Sequence, residues 1–180
     1  MRYPSTGVPH FLFRYQNNLK NKNMQIYLLR HGNALEQDFD DISRPLSDRG
    51  EEEIKRAAKI LIKQKARINS IFTSPLLRAQ QTTAIVNQAL MIKELVTTEY
   101  LVPGTDQRQI IDELNRKSLS GVLLVGHEPH LNSFISLLIS GSRGVNITIG
   151  KGSLALIDSP APIKPGSGIL RWLISPEFMI

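Results

Sequence analysis

Three short apolar segments, each followed by apolar residues at helical spacing, constrain the fold of this chain more than any other feature. They are Gln25–Gly32, Ile68–Thr73 and Gly121–Val125. Their length and aliphatic composition predict strands. Strands that alternate with helices are typical of a mostly parallel sheet with helices on both faces. The sequence therefore predicts an α/β fold, a three-layer αβα sandwich with a mostly parallel central sheet.

Capping residues and apolar spacing predict where the other elements begin and end. Ser47 or Asp48 is suited to cap a helix that runs to about Gln64. Ser74 followed by Pro75 is typical of the N-cap and first residue of a second helix. The remaining elements are an extended segment, two helices and two strands joined as a hairpin: Glu94–Val102, Asp106–Arg116, Leu131–Ile139, Ser153–Asp158 and Gly168–Ser175.

Polar side chains stand at the carboxyl end of each of the three strands. The apolar run of the first segment stops at Arg30 and His31, Ser74 and Arg78 follow the second strand, and His127 follows the third. Because ligands of open α/β sheets bind beyond the carboxyl ends of the strands, these groups are expected to meet at one site. Arginines and a helix N-terminus favour phosphate. Two histidines among them indicate a nucleophile and a further hydrogen-bond donor.

Composition and charge narrow the class of protein. The 180 residues include no cysteine, which excludes disulfides, thiolate chemistry and cysteine-bound metal. The net charge is +6, but residues 1–23 hold four basic side chains and no acidic one, so the remainder carries 18 − 16 = +2. This distribution does not favour a nucleic-acid groove. No apolar run approaches the roughly 18 residues of a membrane span.

The composition also indicates how the chain is organised. Residues 1–23 are predicted to be a disordered leader, or sequence upstream of the true start, because proline and glycine interrupt them and no element pattern is present. Residues 24–180 are predicted to form a single domain, with translation able to begin at Met24. We expect the protein to be cytoplasmic.

The motifs at the strand ends resemble a known family. Arg30-His31-Gly32, the segment SPLLRAQQT at 74–82 and VGHEP at 125–129 occur in this order at three strand ends. Together they are similar to the histidine phosphatase superfamily, also called phosphoglycerate-mutase-like. With the short chain and the RPLS segment at 44–47, they are most similar to SixA-type phosphohistidine phosphatases. The resemblance covers residues 24–175 and implies a phosphoglycerate-mutase-like fold.

The resemblance also implies roles for individual residues. His31 would be the nucleophile that accepts the phosphoryl group, and Arg30, Arg78 and His127 would hold the phosphate oxygens. Arg44 would be an additional phosphate or substrate contact. The physical chemistry agrees, because a nucleophilic imidazole must be neutral and nearby guanidinium charges disfavour its protonated form. Water would then hydrolyse the phosphohistidine, and no metal or other cofactor is expected.

The proton donor for the leaving group is the least defined part of the resemblance. Many members supply a glutamate between the second and third motifs, and Glu99 occupies about that position. Asp106 and Asp38 are the alternatives.

His127 and His130 form an H-x-x-H pair, but no further ligand set accompanies them, so a metal site is not predicted. Glu51–Glu53 is interpreted as the solvated first turn of a helix.

These observations predict a metal-independent phosphatase that works through a covalent phosphohistidine intermediate. Its expected partner is a signalling protein phosphorylated on histidine. Neither a nucleic acid nor a membrane is expected to be a partner. One alternative is a phosphatase of small phosphate esters, and a mutase is disfavoured because the chain has few insertions to exclude water. A phosphate-binding module without turnover is a further alternative of a different class.

Overall fold

One mixed sheet of six strands forms the centre of the molecule. The computed structural model describes residues 23–36, 40–117 and 119–179. The strands stand in the order β3-β2-β4-β1-β5-β6. Parallel pairing joins β1 to β4, β4 to β2 and β2 to β3, whereas β5 and β6 are antiparallel additions beside β1. Their bounds are β1 Asn23–Arg30, β2 Ser70–Thr73, β3 Glu94–Thr97, β4 Gly121–Gly126, β5 Leu154–Pro160 and β6 Ile169–Ile174.

Helices cover both faces of this sheet, which confirms the predicted three-layer arrangement. Along β1, Tyr27 and Leu29 pack with the helices of one face, and Ile26 and Leu28 pack with those of the other. The first face carries α1 and α2, and the second carries α3 and α4. These helices are α1 Asp48–Lys63, α2 Leu77–Leu90, α3 Gln107–Arg116 and α4 His130–Ser140. No helix in the described part of the chain is both long and apolar enough to cross a membrane.

The sequence placed most helix and strand ends within two residues of those observed. Ser47 caps α1 as predicted, its Oγ accepting a hydrogen bond of 3.2 Å from Gly50 N. The predicted leader, residues 1–23, lies outside the described residues except for Asn23, the first residue of β1. Met24 lies within the same strand and is buried, so β1 begins one residue before the predicted start of the domain.

The start of α2 was predicted incorrectly. The N-cap is Leu76 rather than Ser74, and Pro75 precedes the helix. The hydroxyl of Ser74 lies 2.8 Å from Nε2 of His127 and 3.4 Å from the backbone nitrogen of Leu76. Because its shorter contact is to His127, Ser74 connects β2 to the end of β4 instead of capping a helix.

Glu53 was predicted to be solvated, and this was also wrong. Its side chain is buried, and its carboxylate accepts hydrogen bonds of 2.9 Å from the backbone nitrogen of Asn33 and from Nε of Arg49. A buried carboxylate needs such partners, since its desolvation is otherwise costly. Glu53 thus ties α1 to the loop that follows β1.

Two glycines allow α1 to approach that same loop. A Cβ atom on Gly50 would lie 2.0 Å from the carbonyl oxygen of Asn33, and one on Gly32 would lie 2.5 Å from the carbonyl oxygen of Gly50. Neither distance is possible for real atoms, so both positions require glycine. The backbone of residues 32 and 33 is therefore packed directly on the first turn of α1.

Replacing Gly50 by alanine is expected to lower the free energy of unfolding by about 1–3 kcal/mol, the usual cost of overpacking. The added methyl group must displace α1 from the backbone of Asn33. Chemical denaturation measures the effect. Gly144→Ala is the matched control, because its nearest neighbour atom would be 3.9 Å away. Equal stability of the two variants would contradict the packing argument.

Candidate active site

The polar groups that follow β1, β2 and β4 meet in a cavity of about 310 Å³. Its walls include four cationic side chains, two histidines and three carboxyl groups: Arg30, Arg44, Arg78, Lys151, His31, His127, Glu36, Asp41 and Glu128. The cavity lies at the carboxyl ends of the strands because β4 pairs in parallel with both β1 and β2. This is the position expected for a ligand in an α/β sheet.

The hydrogen bonds of His31 define which of its two ring nitrogens carries the proton. Its Nδ1 lies 2.7 Å from the carbonyl oxygen of Gly32, which can only accept, so Nδ1 carries the proton. In the neutral ring Nε2 is therefore the atom with the free lone pair. Nε of Arg78 donates to it at 3.3 Å. The ring is thus held with its nucleophilic atom beside a guanidinium group.

The surroundings of His31 keep its imidazole neutral. The pKa of His31 is lowered from 6.5 to about 4, mainly by burial and also by the charges of Arg78 and Arg30, while the hydrogen bond to Gly32 opposes this shift. Only 5% of the residue is exposed. At neutral pH the lone pair on Nε2 is consequently available for reaction.

His127 faces His31 and has its own fixed orientation. The ring centroids are 4.9 Å apart with an interplanar angle of 52°. Nε2 of His127 lies 2.8 Å from Oγ of Ser74, whereas Nδ1 is buried without a hydrogen-bond partner among the described residues. The pKa of His127 is lowered to about 3, mainly by burial and also by His31 and Arg78. When Ser74 donates to Nε2, the proton of the neutral ring is on Nδ1, which can donate to a ligand.

Arg78 is buried and anchored to the loop opposite. Its Nη1 donates to the backbone oxygen of Asp41 at 2.5 Å, and its Nη2 lies 3.3 Å from Oδ2 of the same residue. Asp41 also accepts from Nη2 of Arg44 at 2.8 Å. The Asp41 carboxylate, 67% exposed, thus holds two of the predicted phosphate-binding arginines in place.

Arg30 completes the set of predicted cations. It is the last residue of β1, and its Nη1 donates to the backbone oxygen of Ile149 at 2.7 Å. Its Nε is buried and has no partner in the described ranges, and the same is true of Nε of Arg44. Each of these guanidinium groups therefore has an N–H donor that can form a hydrogen bond with a bound anion.

The structure does not bring the predicted proton donor into the cavity. Glu99 begins a 3-10 turn, Glu99–Leu101, which buries Leu101 and leaves Glu99 exposed, and Glu99 is not among the residues that line the cavity. Asp106, the first alternative, caps α3 and pairs with Arg143 at 2.9 Å. Asp38, the second, lies outside the described residues. The segment 94–102 was predicted as extended throughout, whereas the structure has β3 only over Glu94–Thr97 and then this turn.

The sequence analysis missed four charged lining residues, Glu36, Asp41, Lys151 and Glu128, and two of them had a local signal. Lys151 lies between α4 and β5, and its Nζ is 3.4 Å from Oε1 of Glu36. Glu128 directly follows His127 and was passed over although it belongs to a recognised motif. For Lys151 the available signal was its position between Gly150 and Gly152, and for Glu128 it was the adjacency to His127.

Comparison with known proteins identifies the family. The model of the histidine phosphatase superfamily (branch 1) matches residues 26–102. Phosphohistidine phosphatase SixA of Escherichia coli K12 is 27% identical over 157 residues, 85% of this chain and 94% of that protein. An uncharacterized protein of Picosynechococcus is 30% identical over 164 residues, 87% of this chain and 99% of that protein. The chain belongs to the histidine phosphatase superfamily.

Solved structures of the superfamily have the same fold. A structure of the protein histidine phosphatase SixA with tungstate superposes with a TM-score of 0.76 at 27% identity, over 85% of this chain and 97% of that one. The α-ribazole phosphatase of Shigella flexneri shares the fold with a TM-score of 0.67 at 17% identity, over 85% and 97% of the two chains. Membership of the histidine phosphatase superfamily supports a phosphatase activity for this chain.

The two buried histidines of the cavity, His31 and His127, should make the stability of this protein sensitive to acid. Their folded pKa values, about 4 and about 3, lie below the ordinary 6.5, so the unfolded chain binds protons first as the pH falls. The free energy of unfolding should fall below pH 6.5, by up to about 1.4 kcal/mol per pH unit for each histidine. Urea denaturation at pH 7 and pH 5 measures this loss. A His31→Gln variant should lose less stability, and an unchanged pH dependence would contradict the assignment.

Proposed function

We propose that this chain is a metal-independent phosphatase that transfers the phosphoryl group of its substrate to Nε2 of His31 and then hydrolyses the phosphohistidine. We further propose that its substrate is a protein phosphorylated on histidine. The observation that carries the proposal is the environment of His31. A neutral imidazole with its proton held on Nδ1 presents the lone pair of Nε2 at a wall of a cationic cavity.

The arginines supply the electrostatic part of the reaction. Phosphoryl transfer needs positioning and neutralisation of charge on the phosphate oxygens. Nε of Arg30 and Nε of Arg44 are buried without a hydrogen-bond partner in the described part of the chain. Nδ1 of His127 is also buried without a partner there. Arg78 donates directly to Nε2, the atom proposed to attack. Together with Lys151 these side chains offer the positive charge that a metal ion provides in other phosphatases.

The choice of substrate is supported by the similarity to SixA and by the chemistry of the P–N bond. SixA of Escherichia coli, 27% identical over 85% of this chain, is a phosphohistidine phosphatase. A phosphorylated imidazole releases a better leaving group than an alkyl phosphate does. Glu36 and Asp41 line the cavity with side chains 72% and 67% exposed, so the cavity is accessible to a side chain on another protein.

A panel of substrates tests the proposal. The full chain is incubated in the presence of a chelator with a protein phosphorylated on histidine, a phosphoserine peptide and a sugar phosphate. We expect phosphate release to be fastest from phosphohistidine and to be unaffected by the chelator. Mass spectrometry of quenched samples should show an acid-labile phosphoryl group on His31.

Each other outcome contradicts one part of the proposal. Faster release from the sugar phosphate would assign the protein to small phosphate esters and overturn the substrate. Turnover without phosphorylated His31 would overturn the covalent mechanism. Tight binding of the phosphorylated protein without any phosphate release would indicate a phosphate-binding module instead of an enzyme.

A further inference from the structure

Three carboxyl groups line the cavity, and two of them are exposed and paired with cations. Glu36 is 72% exposed and pairs with Lys151 at 3.4 Å. Asp41 is 67% exposed and pairs with Arg44 and Arg78 at 2.8 and 3.3 Å. Both carboxyl groups thus already have cationic partners in the described part of the chain. Neither is placed as well as a buried carboxyl group without an ion-pair partner to hold a proton for the leaving group.

Glu128 has a different environment. It is partly buried, and its Oε1 is buried without a hydrogen-bond partner among the described residues. It takes part in none of the ion pairs found in the same ranges, although the charge of Arg30 acts on it. Burial raises the pKa of Glu128, and Arg30 opposes this only in part. Its carboxyl group thus lies in the same cavity as Nε2 of His31 and is the least stabilised as an anion.

We propose that Glu128 is the general acid and general base of the reaction. Its carboxyl group would protonate the leaving group, and the resulting carboxylate would take a proton from the attacking water. This inference rests on the proposed function, because it assigns a proton path to the covalent mechanism at His31. It replaces Glu99, which is exposed and is not among the residues that line the cavity.

The proton balance of the two steps is complete. In the first step Nε2 of His31 bonds to phosphorus, the bond from phosphorus to the leaving nitrogen or oxygen breaks, and the leaving atom takes the proton of Glu128. In the second step a water oxygen bonds to phosphorus, the phosphorus–Nε2 bond breaks, and the Glu128 carboxylate takes a proton from that water. His31 ends neutral, Glu128 ends protonated, and inorganic phosphate leaves.

Substrates that differ in leaving group test this assignment. 4-Nitrophenyl phosphate expels its leaving group without protonation, whereas an alkyl phosphate needs an acid. For Glu128→Gln we expect kcat/KM on the alkyl phosphate to fall on the order of 10²- to 10⁴-fold, the usual contribution of acid–base catalysis. On 4-nitrophenyl phosphate kcat/KM should stay near that of the unsubstituted enzyme, while kcat falls and phosphorylated His31 accumulates because the water lacks its base.

Three further variants make the test specific. Glu52→Gln, on the exposed surface of α1, is the control for the substitution itself. Glu99→Gln tests the competing assignment, and a loss confined to the alkyl phosphate in that variant would overturn the proposal. Glu128→Asp should recover part of the alkyl phosphate activity, because it restores an acid.

The outcomes separate this inference from the proposed function. An equal fall of kcat/KM on both substrates in Glu128→Gln would overturn the acid role, since a binding or structural role has no leaving-group dependence. Unchanged kinetics, with phosphorylated His31 present in the unsubstituted enzyme, would overturn the Glu128 assignment alone. Absence of phosphorylated His31 from the unsubstituted enzyme would overturn the proposed function and this assignment together.

Discussion

Replacing His31 by alanine is expected to lower turnover on every phosphorylated substrate on the order of 10⁴- to 10⁶-fold, the range found when an enzyme loses a member of its nucleophilic machinery. The reason is that Nε2 of His31 is the atom proposed to bond to phosphorus. His127 is not expected to replace it, because with Ser74 donating to its Nε2 the proton of the ring is on Nδ1, which makes His127 a hydrogen-bond donor to phosphate. Phosphate release and mass spectrometry of the quenched enzyme measure the loss of turnover and of the phosphorylated intermediate.

The control for His31→Ala is a buried histidine outside the cavity. His130 begins α4, is 2% exposed and does not line the cavity. His130→Gln should therefore keep most of the turnover. Thermal unfolding of both variants shows whether they are folded. If folded His31→Ala retained substantial turnover, the covalent mechanism would be refuted.

Replacing Arg78 by glutamine should have the second largest effect. Loss of one preorganised donor of this kind lowers kcat about 10²- to 10³-fold. A second effect follows from electrostatics, because the charge of Arg78 lowers the pKa of His31. Without that charge the pKa of His31 should rise, so the decline of kcat/KM on the acid side should begin at a higher pH. The pH profile of kcat/KM, measured on one substrate for both enzymes, shows the shift.

Arg78→Lys separates the two effects. Lysine keeps the positive charge but lacks the planar fork that contacts Nε2 of His31 and the backbone of Asp41 together. The rate should fall, while the acid side of the pH profile stays near that of the unsubstituted enzyme. An acid side that moved equally in the lysine and glutamine variants would show that the charge of Arg78 does not control the ionisation of His31.

The residues at the strand ends were predictable because their positions follow from local patterns. Arg30, His31 and His127 each come directly after a buried apolar segment, and Arg78 lies in the first turn of the helix after another. Parallel strands present their carboxyl ends at one edge, so these four side chains meet whenever the strands are neighbours. The observed pairing of β4 with both β1 and β2 satisfies that condition.

Glu99 and Glu128 show where local patterns are insufficient. Whether a carboxyl group lines the cavity depends on the path of the backbone over a few residues and on the packing around it. A 3-10 turn buries Leu101 and leaves Glu99 exposed, and no local signal distinguished that turn from an extended segment. The role proposed for Glu128 depends on the burial of its carboxyl group, and residues distant in the sequence determine that burial.

The α/β class, the order of the elements and the identity of the groups at the strand ends were all predictable from local patterns. Periodicity, capping residues and strand-end motifs carry that information. The strand order β3-β2-β4-β1-β5-β6, the contact of Ser74 with His127 and the presence of Lys151 in the cavity became visible only in the folded molecule. The same is true of the burial and the nearby arginines that keep His31 neutral. Strand pairing and desolvation could not be predicted in this way, because contacts between residues far apart in the chain determine them.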